Sequence, residues 1–170
     1  MSGIAGESAV VQGPQFRWMD GILVGLVAAI SSTLILLLAG ALSGRGLHIL
    51  ADAGTAVLPS EVRGAIGVSA SLSYLLSHTL LYLLAGAVAL RLAGLTDRLP
   101  PLVAGFLLLM IIVEFGFMML TTETRVRGLI DETTWQSLLI AHAIGDIVFA
   151  LGIVRAHPSL RQALVRGFEW

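Results

Sequence analysis

The sequence predicts an all-α integral membrane protein: an antiparallel four-helix transmembrane bundle with short interfacial helices. Three observations carry that expectation. Of the 170 residues, 56% are hydrophobic and only 12% are charged, against about 25% charged in an ordinary soluble domain. The mean hydropathy is +0.92. Four segments stay apolar over the roughly 20 residues that a helix needs to cross the hydrocarbon of a bilayer. Such a composition excludes a water-soluble globular domain, a disordered chain and a nucleic-acid binder. The net charge is −1 and every basic residue is Arg. With no cysteine in the chain, disulfides, thiolate metal sites and cysteine nucleophiles are excluded as well.

Residues 1–16 are small and polar, without the basic start and short apolar core of a cleaved signal peptide, and read as a flexible tail. Residues 17–156 form the transmembrane domain. Its first span, residues 21–42, carries no charge, and Asp20 stands where a helix cap belongs. Ser31, Ser32 and Thr33 are expected to break this helix near mid-membrane. Gly21, Gly25 and Ala29 are spaced by four and make a seam of small residues, read as packing within the bundle, with contact to another subunit as the sharper alternative. Over residues 46–60, Leu47, Leu50, Ala51, Gly54, Val57 and Leu58 recur at helical spacing, with His48, Asp52 and Thr55 on the other side. That pattern predicts a short helix on the outer membrane surface.

The second span, residues 67–90, holds His78 and is expected to stop at Arg91. The third, residues 101–120, opens at Pro100-Pro101, which suits a first helical turn, and only Glu114 interrupts it. Glu123, Arg125, Arg127, Asp131 and Glu132 read as a solvated mixed-charge loop. The fourth span, residues 135–154, follows Thr134 as cap, carries His142 and Asp146, and ends at Arg155. Ala141, Gly145 and Gly152 give it a small-residue seam of its own. After Pro158, Leu160, Ala163, Leu164 and Phe168 line one side of residues 157–170 and Arg161 and Arg166 the other, predicting an amphipathic interfacial helix. Phe16, Trp18 and Trp135 fall at the expected interfaces.

Arginine placement orients the chain. With the N-terminus inside, Arg17, Arg91, Arg98, Arg155, Arg161 and Arg166 lie inside, and Arg45, Arg63, Arg125 and Arg127 lie outside. The excess places both termini in the cytoplasm of a bacterial-type inner membrane.

Ionisable groups in hydrocarbon are costly and usually face the bundle interior. His78 and His142 each lie 13 residues before an inner-side arginine, and Glu114 lies 14 residues after Pro100. At about 1.5 Å per residue the three share one level. Asp146 is one turn from His142. Tyr74, His78 and Tyr82, spaced by four, share a helix face. The candidate site is therefore a buried polar cluster of Tyr74, His78, Tyr82, Glu114, His142 and Asp146.

Three readings of that cluster compete. In the first, its members satisfy one another, through a Glu114–histidine pair and a His142–Asp146 contact, and no cofactor is expected. In the second, His78 and His142 are the axial ligands of a b-type haem. In the third, the same groups bind a divalent metal or relay protons. No GxSxG, HExxH or nucleotide-binding glycine motif occurs. The expected function is accordingly non-enzymatic: a small polytopic membrane protein, acting as a subunit or accessory of a larger membrane assembly. Its partners are the lipid bilayer and other membrane subunits or further copies of itself.

Overall fold

A computed structural model describes residues 18–57, 68–96 and 130–157, together with isolated positions between 116 and 128. The described residues form α1 (Trp18–Leu42), α2 (His48–Val57), α3 (Val68–Thr96) and α4 (Glu132–Ala156), with no strand among them. Three of these helices, α1, α3 and α4, are long and apolar enough to cross a membrane. The 25 residues of α1 span about 37 Å, more than the roughly 30 Å of a hydrocarbon core. The third expected span, residues 101–120, and the interfacial helix within residues 157–170 lie outside the described residues, apart from Gly116, Met119 and His157.

The long helix α1 packs along both α3 and α4, which meet each other at fewer places. Its contacts fix the directions. Gly21 lies against Gly86 and Gly25 against Tyr82 and Leu83, so α1 and α3 are antiparallel. Val24 lies against Gly152 and Ser32 against Gly145, so α1 and α4 are antiparallel as well. It follows that α3 and α4 run the same way, His78 beside His142 and Tyr82 beside Asp146. The small-residue seam of α1 is consumed in these contacts: Gly21, Gly25, Ala28, Ala29 and Ser32 are buried within the chain. The opposite faces are aliphatic and at least about half exposed, with Leu23, Val27 and Leu34 on α1, Leu76 and Leu84 on α3, and Ile140 and Ile147 on α4. These side chains suit hydrocarbon and not water.

Several local expectations change. Ser31, Ser32 and Thr33 do not break α1, which runs unbroken through them. The Ser31 hydroxyl donates to the Val27 carbonyl oxygen four residues back, at 2.8 Å, which absorbs the polar group inside the helix. The second long helix does not stop at Arg91 but continues to Thr96. A long arginine side chain can reach the interface from inside a helix, so it need not end one. The short helix α2 exists, but its buried face is Ile49, Leu50, Ala53 and Gly54. Leu47, placed on the apolar stripe from its spacing, is 72% exposed. The reason is that α2 packs on α3, Gly54 against the Ala70 backbone, and is not laid flat on a uniform surface.

Asp131, not Thr134, caps α4. Its carboxylate accepts from the Thr134 backbone N–H at 2.7 Å, satisfying one of the first orphan donors of the helix. Asp131 is therefore not a free member of a solvated loop. The Thr134 N–H, and after it the Thr134 hydroxyl and the Arg45 guanidinium, hold its carboxyl below the usual carboxylate range, while partial burial opposes them. The folded-state value lies below the unfolded one. Stability from this group is thus complete above the ordinary carboxylate value of about 3.9 and is lost as pH falls through the lowered folded value. Asp131→Ala is expected to cost about 1 kcal/mol at neutral pH and to flatten the acid end of the stability profile. Unfolding of the micelle-embedded protein, followed by circular dichroism across the acid range, measures both.

Candidate functional site

The candidate site sits where α3 and α4 meet beside α1. On α3, Tyr74, His78 and Tyr82 are all buried along one face, as side chains one turn apart must be when that face points inward. The Tyr74 and His78 rings stack, with centroids 5.0 Å apart and planes at 16°. Tyr82 meets His78 edge-on at 4.9 Å. From α4, His142 reaches across to His78, edge to face, with centroids 5.1 Å apart, and lies 6.0 Å from Tyr82. His78 and His142 are 5% and 6% exposed. One turn further along α4, Asp146 is half-buried and its Oδ1 accepts from the Tyr82 hydroxyl at 2.9 Å. Phe149 closes this end with its ring edge-on to Tyr82.

The structure thus brings together Tyr74, His78, Tyr82, His142 and Asp146 on two parallel helices. Glu114 lies outside the described residues. Ser32 on α1, Tyr74 and His78 each bury a polar atom (Oγ, Oη and Nε2) without a hydrogen-bond partner among the described residues. Buried polar atoms are usually paired, so these three concentrate hydrogen-bonding capacity beside the imidazoles.

The arrangement bears on cofactor chemistry. Two imidazoles that ligate one haem iron stand on opposite sides of it with the macrocycle between them. The edge contact of His78 with His142 leaves no such slab, so haem would have to part α3 from α4. Among the described residues no group of three His, Asp or Glu side chains converges as a metal site. What the geometry does hold is a short series of proton-bearing groups in ring or hydrogen-bond contact, running from Tyr74 to Asp146.

Tyr82→Phe tests the contact between Tyr82 and Asp146 directly. Hydrogen bonds between transmembrane helices average about 0.6 and reach about 1.7 kcal/mol. The loss on removing this hydroxyl is expected within that interval, read as a shift in the detergent-unfolding midpoint. An unshifted midpoint would show that the bond contributes nothing.

Sequence reasoning missed Arg45. In the sequence it counts only among the outer-side arginines, yet its Nη1 donates to Asp131 and to Thr134 Oγ1, and its Nη2 to Asp52. Asp131 is 86 residues away in the chain, and no local pattern announces such a pairing. No protein-family model, curated protein or solved structure matches this chain.

Proposed function

We propose that this chain is a small multi-pass membrane protein that performs no chemistry of its own and serves as a subunit or accessory of a larger membrane assembly. One observation supports this reading above others. Inside, the Tyr82 hydroxyl bonds Asp146 and the His78 and His142 rings meet across α3 and α4, while the outward faces of α1, α3 and α4 are aliphatic and free to meet lipid or other transmembrane helices. Interiors of this kind set helix register, and outer faces of this kind carry association.

The proposed topology has four spans. Two helices that cross a bilayer in the same direction need a returning segment between them, and α3 and α4 are parallel. Residues 101–120 are the apolar segment available for that return. With the arginine excess inside, both termini fall on the cytoplasmic side of a bacterial-type inner membrane. A C-terminal reporter that is active only in the cytoplasm should be active; an inactive fusion sinks the topology. The accessory role is tested by mild solubilisation. Migration with defined partner subunits is the expected result, and a stable, solitary monomer overturns it.

The contact between His78 and His142 favours a second reading, in which the same groups handle protons and not electrons. A visible absorption band in the purified protein, lost in His78→Ala and His142→Ala, would instead favour haem over both.

A further inference from the structure

Arg45 stands between two glycines with left-handed backbone, Gly44 at φ +72° and Gly46 at φ +55°. Only glycine adopts that region without strain, and here it turns the chain out of α1 with the Arg45 and Gly46 N–H groups bonded to the Gly40 carbonyl oxygen. The helix it leads into has 10 residues, too few to hold together alone. What keeps α2 in place is therefore tertiary. Its Ile49, Leu50 and Ala53 join one apolar cluster with Tyr74 and Ala141. Tyr74 is the ring stacked on His78, and Ala141 directly precedes His142.

Above that cluster Arg45 ties three pieces together. Asp52 belongs to α2, Asp131 caps α4, and Thr134 lies in the first turn of α4. The remaining neighbour among the described helices, α3, has no acidic side chain to offer, and its one arginine, Arg91, lies near its other end. Among the described residues, the two ion pairs that link α2 to the start of α4 thus pass through a single guanidinium. Removing it cuts both at once.

We propose, on the reading in which these groups handle protons, that α2 is a hinged plug, latched by Arg45, that governs the access of water and protons from its end of the bundle to the His78–His142 pair. Gly44 and Gly46 are the hinge, and Asp52 and Asp131 are the two catches. With the latch closed, α2 covers Tyr74. With Arg45 withdrawn, α2 lifts and exposes Tyr74 and the imidazoles beyond it, while the far half of the bundle around Ala89 and Phe149 stays packed.

The absence of cysteine makes single introduced thiols unambiguous reporters. Three are used in lipid nanodiscs, where both faces meet a charged methanethiosulfonate reagent. Ser43→Cys, in the exposed turn, should react quickly in every background. Ala141→Cys, at a position with no exposure, reports the interior beneath α2, and Ala89→Cys, at 1% exposure, reports the far cluster. The expected result is that Arg45→Ala raises the Ala141→Cys rate by about tenfold or more, as local opening does, and leaves Ala89→Cys protected. Arg45→Lys, which keeps a charge, should restore part of the protection. An Ala141→Cys rate unchanged by Arg45→Ala overturns the proposal. So does a parallel rise at Ala89→Cys, because that reports loss of the whole fold and not movement of a plug.

Discussion

Replacing Gly86 with leucine is expected to part α1 from α3 and to cost more stability than any polar substitution in the chain. A Cβ at Gly86 would press on the Gly21 carbonyl group and come within 3.1 Å of the Gly25 backbone nitrogen. These are main-chain atoms of the facing helix, so no side-chain rotation relieves the contact. Gly21 faces Gly86 in return, which makes the approach mutual. Overpacking an interior costs about 1–3 kcal/mol when side chains can adjust; here a whole helix must move, and the expected loss exceeds that interval. Since α1 is the helix that both α3 and α4 pack against, the loss extends beyond one interface. Gly86→Ala should fall between wild type and Gly86→Leu. Detergent unfolding followed by helicity measures the series. A Gly86→Leu protein that unfolds at the wild-type midpoint would show that α1 and α3 do not meet through their glycines.

Phe149→Ala should give the second largest loss. Among the described residues, Phe149 is the largest side chain that is essentially fully buried. It packs with Ala28, Ala29 and Leu90 and sets its ring edge-on to Tyr82 at 6.1 Å. Small neighbours from α1 cannot fill the space it leaves. In water-soluble cores such truncations cost about 3–5 kcal/mol, transfer and cavity terms together. In a bilayer the transfer term falls away, because lipid tails are as apolar as the core, and the packing term remains. The expected loss is therefore about 3 kcal/mol, at the low end of that range. The substitution also frees Tyr82, whose hydroxyl holds Asp146. Combining Phe149→Ala with Tyr82→Phe should then cost less than the sum of the two, as residues in contact do. Strict additivity would show that Phe149 plays no part in positioning Tyr82.

The sequence by itself determined the helical, membrane-compatible character of the protein and the positions of α1 and α4 to within a few residues, while α3 runs on past its expected end to Thr96. Bilayer thickness imposes a minimum apolar length, and that length is legible in one dimension. It also put Tyr74, His78 and Tyr82 on one face, because spacing by four is a local property of any helix. The break expected at Ser31 to Thr33 failed for an equally local reason, since a helical serine can bond its own preceding turn. Only the tertiary structure decided which surfaces meet. In a nearly uniform apolar helix, hydrophobic periodicity says little about which side turns inward, so the glycine seam of α1, expected to pack within the bundle, takes its partners Gly86 and Tyr82 only from the tertiary structure. The buried face of α2 keeps Leu50 and Gly54 of the expected stripe but takes Ile49 and Ala53 in place of Leu47 and Ala51, because α3, and not a flat membrane surface, selects it. The pairing of Asp146 with Tyr82 spans 64 residues and that of Arg45 with Asp131 spans 86. Such contacts follow from the antiparallel packing of α1 against two parallel helices, a relation between distant segments that spacing within any one of them does not encode.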